Sequence, residues 1–372
     1  MIKLIFSIVT LLTGVYSYHD FQDSIVMHEI TIDHPGFLPA DDRNFILYEK
    51  LDVDKHPIHY YMNVESTICL EGVCKIVPVR LYWNPLGQYI EYELDKGVTL
   101  EKTEGRPFLE EDYVILHDLL KDPQSAYRDI RYDQITKEKV VGENQIDAIS
   151  GATSIILAKG QTVVGAAWTC FTLWHWAHGP VVQVIRGLTG TSLTSVQLKK
   201  LLKGSDDDII FALEELMRRG GEPMEYIDQM TYLLNSYNSE VLRLIIQYLE
   251  QSSGSSYCEP MRLLLNAANG KQRISLLTSI LKSTSALDEP FLNDLTELMI
   301  HTNEYQEINM CFLVYQKLES THHPDFDRIA ELLNRPILIA RRAYWYLSEK
   351  QLSPDLKQKL DRFELENRES LY

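Results

Sequence analysis

The chain has no apolar run fit to cross a bilayer, no surplus of positive charge and little cysteine. Residues 4–12 are apolar but too short for a span. Residues 162–185 are long enough, yet Gln161, Thr169, Thr172, His175, His178, Gly179-Pro180 and Gln183 make that stretch too polar and broken to face lipid. Thirty-six Lys and Arg stand against 53 Asp and Glu, a formal net charge of −17. That sign argues against nonspecific binding to nucleic acid or to an anionic membrane surface. The five cysteines, Cys69, Cys74, Cys170, Cys258 and Cys311, are odd in number, so at least one stays free or pairs outside the chain. None lies in a Cys-x-x-Cys-His segment, and no Cys/His spacing frames a zinc ion or an iron–sulfur cluster, which removes attached haem and those metal centres.

What is present is enough for a large core. With 372 residues, 45% of them hydrophobic and 24% charged, the chain has the composition of a folded protein of roughly two domains. Residues 1–17 combine Lys3, a short apolar run and Val15-Tyr16-Ser17, the small-residue pattern of a signal-peptidase site. They are expected to be a cleaved secretory signal, which places the mature chain in the periplasm or envelope.

Residues 18–59 read as an irregular lead-in with one or two short strands, such as Ser24 to Ile32. From Tyr60 the pattern is that of strands: 60–70, 73–83 and 88–94, separated by Glu71-Gly72 and Asn84-Pro85-Leu86-Gly87. In the last strand Ile90, Tyr92 and Leu94 are expected on one face and Glu91 and Glu93 on the other, giving an antiparallel meander with one wet side. A two-residue Glu71-Gly72 loop would set Cys69 opposite Cys74, within disulfide reach in an oxidising compartment; the alternative is two half-buried thiols. Residues 110–121, with Pro123 just beyond, read as an amphipathic helix packed on the sheet.

The most specific chemistry is Asp147-Ala148-Ile149-Ser150-Gly151-Ala152-Thr153. A carboxylate precedes a hydroxyl flanked by very small side chains, so the Thr153 oxygen is open to a reacting molecule. Ser150 lacks the Gly-x-Ser-x-Gly elbow, and no His is placed to act as its base, so a serine hydrolase is set aside.

At Asp147, Ser150, Gly151, Ala152 and Thr153 the sequence resembles the FMN-binding domain of covalently flavinylated redox subunits, whose motif is Asp-x-x-Ser/Thr-Gly-Ala-Thr/Ser. The resemblance implies a sheet upstream of the motif and an FMN transferase that joins FMN phosphate to Thr153 as a phosphoester. Thr103-Glu104-Gly105-Arg106-Pro107-Phe108 stands where that family carries a Thr-Pro-Gly-Leu-Gly-like segment. Arg128, Arg131 and Lys137 precede the motif and are either phosphate partners or solvated surface.

Downstream, Trp168, Phe171, Trp174 and Trp176 form an aromatic cluster that a flat isoalloxazine ring can stack on; the alternative is that they are core. Trp168 and His175 are taken as candidate cofactor contacts. His175 and His178 stand at i and i+3, a spacing metals use, but two ligands make half a site, so pocket-edge or hydrogen-bonded core histidines are the reading adopted.

From Ser195 onward helix signals dominate. Helix starts near Asp206, Ser239, Lys271, Glu304 and Ile337 are 33, 32, 33 and 33 residues apart, the mark of stacked helical hairpins. Further starts are expected near Pro223, Glu259, Glu289, Asp325 and Pro354. The expected protein is therefore α+β: a signal (1–17), an antiparallel-sheet FMN-binding-like domain (18–194) and an all-α helical-repeat domain (195–372), HEAT-like or tetratricopeptide-like in period. The function expected is electron transfer by covalent FMN, with a redox partner docked on the repeats. Tyr344-Trp345-Tyr346 reads as core or as an exposed anchor. The alternative is a non-catalytic interaction scaffold built on a degenerate FMN-binding fold.

Overall fold

The computed structural model describes residues 24–38, 42–68, 75–135, 161–235, 238–318 and 324–371. The expected signal, the Cys69/Cys74 pair, Lys137 and the motif Asp147, Ser150, Gly151, Ala152 and Thr153 lie outside the described residues. The architecture is α+β, with a five-stranded antiparallel sheet in the N-terminal part and helices after it. The chain divides between Ser192 and Leu193 into two units, and each has its own hydrophobic core.

In the first unit β1 (Ser24–Thr31), β2 (Asn44–Leu51), β3 (Pro57–Glu65), β4 (Pro78–Trp83) and β5 (Tyr89–Leu94) pair in sequence order. Alternation along the strands sorts the faces. Leu47, Tyr60, Met62, Val79, Leu81 and Trp83 point to the core, while Tyr48, Tyr61, Tyr82 and Arg80 form the outer face. Tyr60 pairs with Trp83. The ladder itself stops at Glu65 and Pro78, short of the 60–70 and 73–83 runs expected.

One expectation fails at β5. Trp83 pairs with Tyr89 while Tyr82 pairs with Glu91, so a register shift draws Tyr89 into the core and turns Ile90 outward at 40% exposure. Glu93 does take the wet face, accepting from the Tyr82 hydroxyl at 2.6 Å and pairing with Arg80 at 3.3 Å. In the β4–β5 turn Gly87 has φ +78°, and a Cβ there would stand 2.8 Å from Val182 Cγ1. Both constraints call for glycine.

The sheet is covered by α1 (Glu110–Lys121) and by helices that follow the single-turn α2 (Tyr132–Ile135), namely α3 (Ala167–His178) and α4 (Val181–Ser192). The α3 helix is buried nearly all round, which explains its run of apolar side chains without a polar stripe. Three polar anchors fix it: the Trp83 indole donates to the Ala177 carbonyl (2.8 Å), Trp174 to that of Asp122 (3.0 Å), and His178 Nε2 to that of Leu120 (2.8 Å). The chain leaves α3 at Gly179, where a Cβ would lie 2.2 Å from the His175 carbonyl oxygen, so this turn calls for glycine. At ~1.5 Å per residue each half of the 162–185 stretch falls well short of a bilayer. No helix among the described residues is long and apolar enough to cross one.

The second unit comprises α5 (Ser195–Leu201), α6 (Asp206–Arg219), α7 (Ile227–Leu233), α8 (Ser239–Glu250), α9 (Ser255–Ala267), α10 (Gly270–Lys282), α11 (Glu289–His301), α12 (Tyr305–Leu318), α13 (Phe326–Ile329), α14 (Ile337–Ser348) and α15 (Pro354–Leu371). Helices α6, α8, α10, α12 and α14 pack side by side, and α7, α9, α11 and α13 form a second row against them. Polar braces recur between neighbours within a row. Asn238 Nδ2 donates to Asp206 (2.9 Å), Arg273 pairs with Glu307 (2.8 Å), and Arg262 pairs with Asp294 (2.7 Å). The expected start near Glu259 is displaced: α9 begins at Ser255 and carries Pro260 in its interior.

Candidate functional site

The candidate site is built on α3 and the chain that packs against it. On α3 the residues Trp168, Phe171 and His175 stand at i, i+3 and i+7, one face of the helix. Tyr132 of α2 lies against that face, 4.5 Å from Trp168 and 5.9 Å from Phe171 between ring centroids. The Phe171 and His175 rings are 4.2 Å apart. Thus Trp168 and His175, both half-buried, share one aromatic wall. In sequence, Tyr127 and Tyr132 precede the motif and Thr162 and Trp168 follow it. The Tyr127 and Thr162 hydroxyls meet at 2.6 Å in a buried hydrogen bond.

Around the helix from that wall lies a second cluster that sequence reasoning missed. His34, from the irregular lead-in, is 3% exposed and packs 4.7 Å from Trp176 and 5.9 Å from His175. Its Nδ1 accepts from the Gly36 N–H (3.0 Å), so the proton is assigned to Nε2, which donates to the Thr172 carbonyl (3.1 Å). Burial pulls the His34 pKa down to about 4, helped by the neighbouring His175, and the ring is neutral at physiological pH. Burial likewise holds His175 down at about 4; one of its nitrogens is tied to the Tyr127 backbone, while Nε2 is buried without a hydrogen-bond partner. His178 is also lowered by burial. With its Nε2 committed to Leu120, His178 does not join His175 as a ligand pair.

Beyond Trp176 the lead-in and the ends of β3 and β4 enclose a cleft of about 680 Å³. Phe37, Phe45 and Trp176 form its aromatic wall: Phe37 and Phe45 lie parallel with centroids 6.1 Å apart, and the Trp176 ring meets Phe45 edge-on at 4.9 Å. Asp42, Glu65, Asn44 and Asn63 are the polar residues that line it.

Two other constellations are self-contained. Glu49 accepts from Tyr60 (2.7 Å) and meets His28 Nε2 (2.8 Å), and Tyr60 in turn accepts from Thr189 (3.1 Å). Burial first, then the Glu49 carboxylate, pushes the Tyr60 phenol far up. This chain ties β1, β2, β3 and α4 together. In the β2–β3 turn Asp52, Asp54 and His56 are the one set of potential metal ligands close enough to share an ion among the described residues. There one Asp52 oxygen already accepts the backbone N–H groups of Asp54 and His56, each at 2.8 Å.

Arg128 is exposed and turned to Gln124 (2.6 Å) and Asp129 (3.3 Å). The three described cysteines, Cys170, Cys258 and Cys311, are buried and unbridged. Comparison of the chain with models of protein families, with curated proteins and with solved structures gives no match.

Proposed function

We propose that this chain is an exported electron-transfer flavoprotein that carries FMN on the Thr153 oxygen through a phosphoester. The observation that carries the proposal is the aromatic face formed by the described residues nearest the motif in sequence. The Asp147–Thr153 pattern supplies an acceptor hydroxyl, and the described residues bordering that stretch converge on one aromatic face, Tyr132 against Trp168 at 4.5 Å. Trp168 and Tyr132 offer ring surfaces on which a flat heterocycle stacks. His175 Nε2, on the same helix face, is buried without a hydrogen-bond partner. When bound, the flavin would supply reversible uptake and release of electrons, with the protein setting access and environment. Trp174 and Trp83, by locking α3 to Asp122 and to the sheet, hold the wall rigid.

The helical unit, read as an α-solenoid of stacked hairpins of HEAT-like or tetratricopeptide-like period, would dock a redox partner, since such arrays present long side surfaces. The helices of its first row begin at Asp206, Ser239, Gly270, Tyr305 and Ile337, a near-constant interval that supports this reading. Trp345, 40% exposed between buried Tyr344 and Tyr346, is a candidate anchor for that partner.

The test is production of the full chain together with an FMN transferase. The wild type is expected to be yellow and heavier by one FMN less water, and Thr153→Ala to be colourless and unmodified. Absence of an adduct on the wild type overturns the proposal and leaves the interaction scaffold as the reading of the chain.

A further inference from the structure

The second unit ends in a surface whose charge is opposite to that of the chain. Between the start of α14 and the middle of α15 lies a cavity of about 340 Å³, lined by Arg335, Lys359 and Arg362 against the single carboxylate of Glu366. The chain as a whole carries −17, and the cleft at Trp176 is lined by two carboxylates and, among the described residues, by no Lys or Arg. Arg335 is held by the Ile300 and Thr302 carbonyls, at 3.1 and 2.9 Å, and by the Asn303 side chain, partners that fix the guanidinium without neutralising it. Lys359 and Arg362 are exposed and make no hydrogen bond or ion pair among the described residues. Apolar surface adjoins these cations. Ile337 lines the cavity at 40% exposure, and Leu338 beside it is 56% exposed. Leu338, Arg341 and Trp345 stand at i, i+3 and i+7 of α14, one face of the helix. The Arg341 guanidinium lies 4.9 Å from the centre of the Trp345 ring and donates to the Ser370 carbonyl of α15 (3.2 Å), so the half-exposed ring is braced in place.

We infer that this end of the helical unit docks an acidic protein segment, one in which Asp or Glu side chains are interleaved with aliphatic or aromatic ones. The carboxylates of the segment pair with Lys359, Arg362 and Arg335, and its apolar side chains cover Ile337, Leu338 and Trp345. The cavity is at the small end of ligand pockets, which suits side chains better than a large cofactor. An anionic membrane is the poorer fit, because a planar surface would also meet the acidic remainder of the chain, whereas a narrow segment meets the cationic patch alone. The inference rests on the docking role proposed for the helical unit and names the chemistry of the partner. Flavin attachment is read separately, as a mass, so a chain that carries FMN but fails the test below loses the acidic partner and keeps the flavin.

The experiment uses the full chain and a dye-labelled peptide, Leu-Glu-Asp-Phe-Glu-Asp-Leu-Glu, beside its counterpart with Gln and Asn in place of Glu and Asp. By fluorescence anisotropy at low salt the acidic peptide is expected to bind about tenfold more tightly than the amide one, and its affinity to fall as salt rises. Lys359→Glu and Arg362→Glu, both at exposed positions of α15, are each expected to weaken it about fivefold, and Trp345→Ala to weaken it several-fold. Lys357→Glu, exposed on the same helix but outside the cavity lining, is expected to change it less than about twofold. Equal binding of the two peptides, equal losses in Lys357→Glu and Lys359→Glu, or binding of phosphatidylglycerol vesicles without binding of the acidic peptide overturns the assignment. The two peptides on the wild type decide the matter even where a variant fails to fold.

Discussion

His34 is held by partners from distant parts of the chain. Its acceptor is the Thr172 carbonyl, 138 residues away, and its donor is the backbone of Gly36. Nothing in the lead-in sequence marks this histidine as core, because the residues that bury it arrive from α3. The consequence for pH follows from linkage. The ordinary imidazole pKa is 6.5 and the folded-state value is about 4, so between these values the unfolded chain binds the extra proton. Stability from this group is therefore complete above pH 6.5 and lost as pH falls toward 4. The loss is about 2 kcal/mol between pH 7 and pH 5. Urea unfolding of wild type and His34→Gln, which keeps a donor for the Thr172 carbonyl, is expected to show that much less pH dependence in the variant. Identical slopes would contradict the burial argument. Trp176 teaches the same lesson: the cleft it lines draws walls from Phe37 and Phe45, from Val64 and Ile68, from Ile76 and Pro78 and from α3, and no local pattern announces such a meeting.

Among the elements, α1 was legible to the residue, since its apolar spacing and the Pro123 beyond it are local signals. Local rules misled at two places for identifiable reasons. Alternation placed Ile90 with Tyr92 and Leu94, but the register shift opposite Tyr82 and Trp83 lets the larger Tyr89 ring take the buried place. A helix start is expected near Glu259, yet α9 begins at Ser255 and runs through Pro260, giving up one backbone hydrogen bond while Tyr257, Cys258, Met261 and Leu264 are buried. Gly179 is where one apolar stretch becomes two helices. A Cβ 2.2 Å from the His175 carbonyl cannot be accommodated without opening the last turn of α3. Gly179→Ala is expected to destabilise the first unit by on the order of 3 kcal/mol, read as a lowered thermal midpoint. A change under about 0.5 kcal/mol would show that the turn is not constrained as described.

At the scale of the whole molecule the periodicity carried furthest. Expected starts at Asp206, Ser239 and Ile337 coincide with the observed ones, and Lys271 and Glu304 miss by a single residue. These starts are readable because each helix contacts near neighbours in sequence and needs few distant partners. The division between Ser192 and Leu193, with a separate core on each side, predicts that residues 193–372 fold alone. Expressed by itself, this segment should be helical by circular dichroism and unfold cooperatively; a noncooperative melt would show that its core is incomplete.

The acceptor motif is a reading of seven residues that lie outside the described ones, while the aromatic face required the fold, since Tyr132 and Trp168 meet only through the packing of α2 on α3. Flavin attachment is most directly tested by intact-mass and peptide-mass spectrometry of the protein isolated from its native cell envelope. The account predicts a chain heavier by one FMN less water, with the added mass on the peptide containing Thr153. A native chain of unmodified mass, or an adduct on another residue, would contradict it.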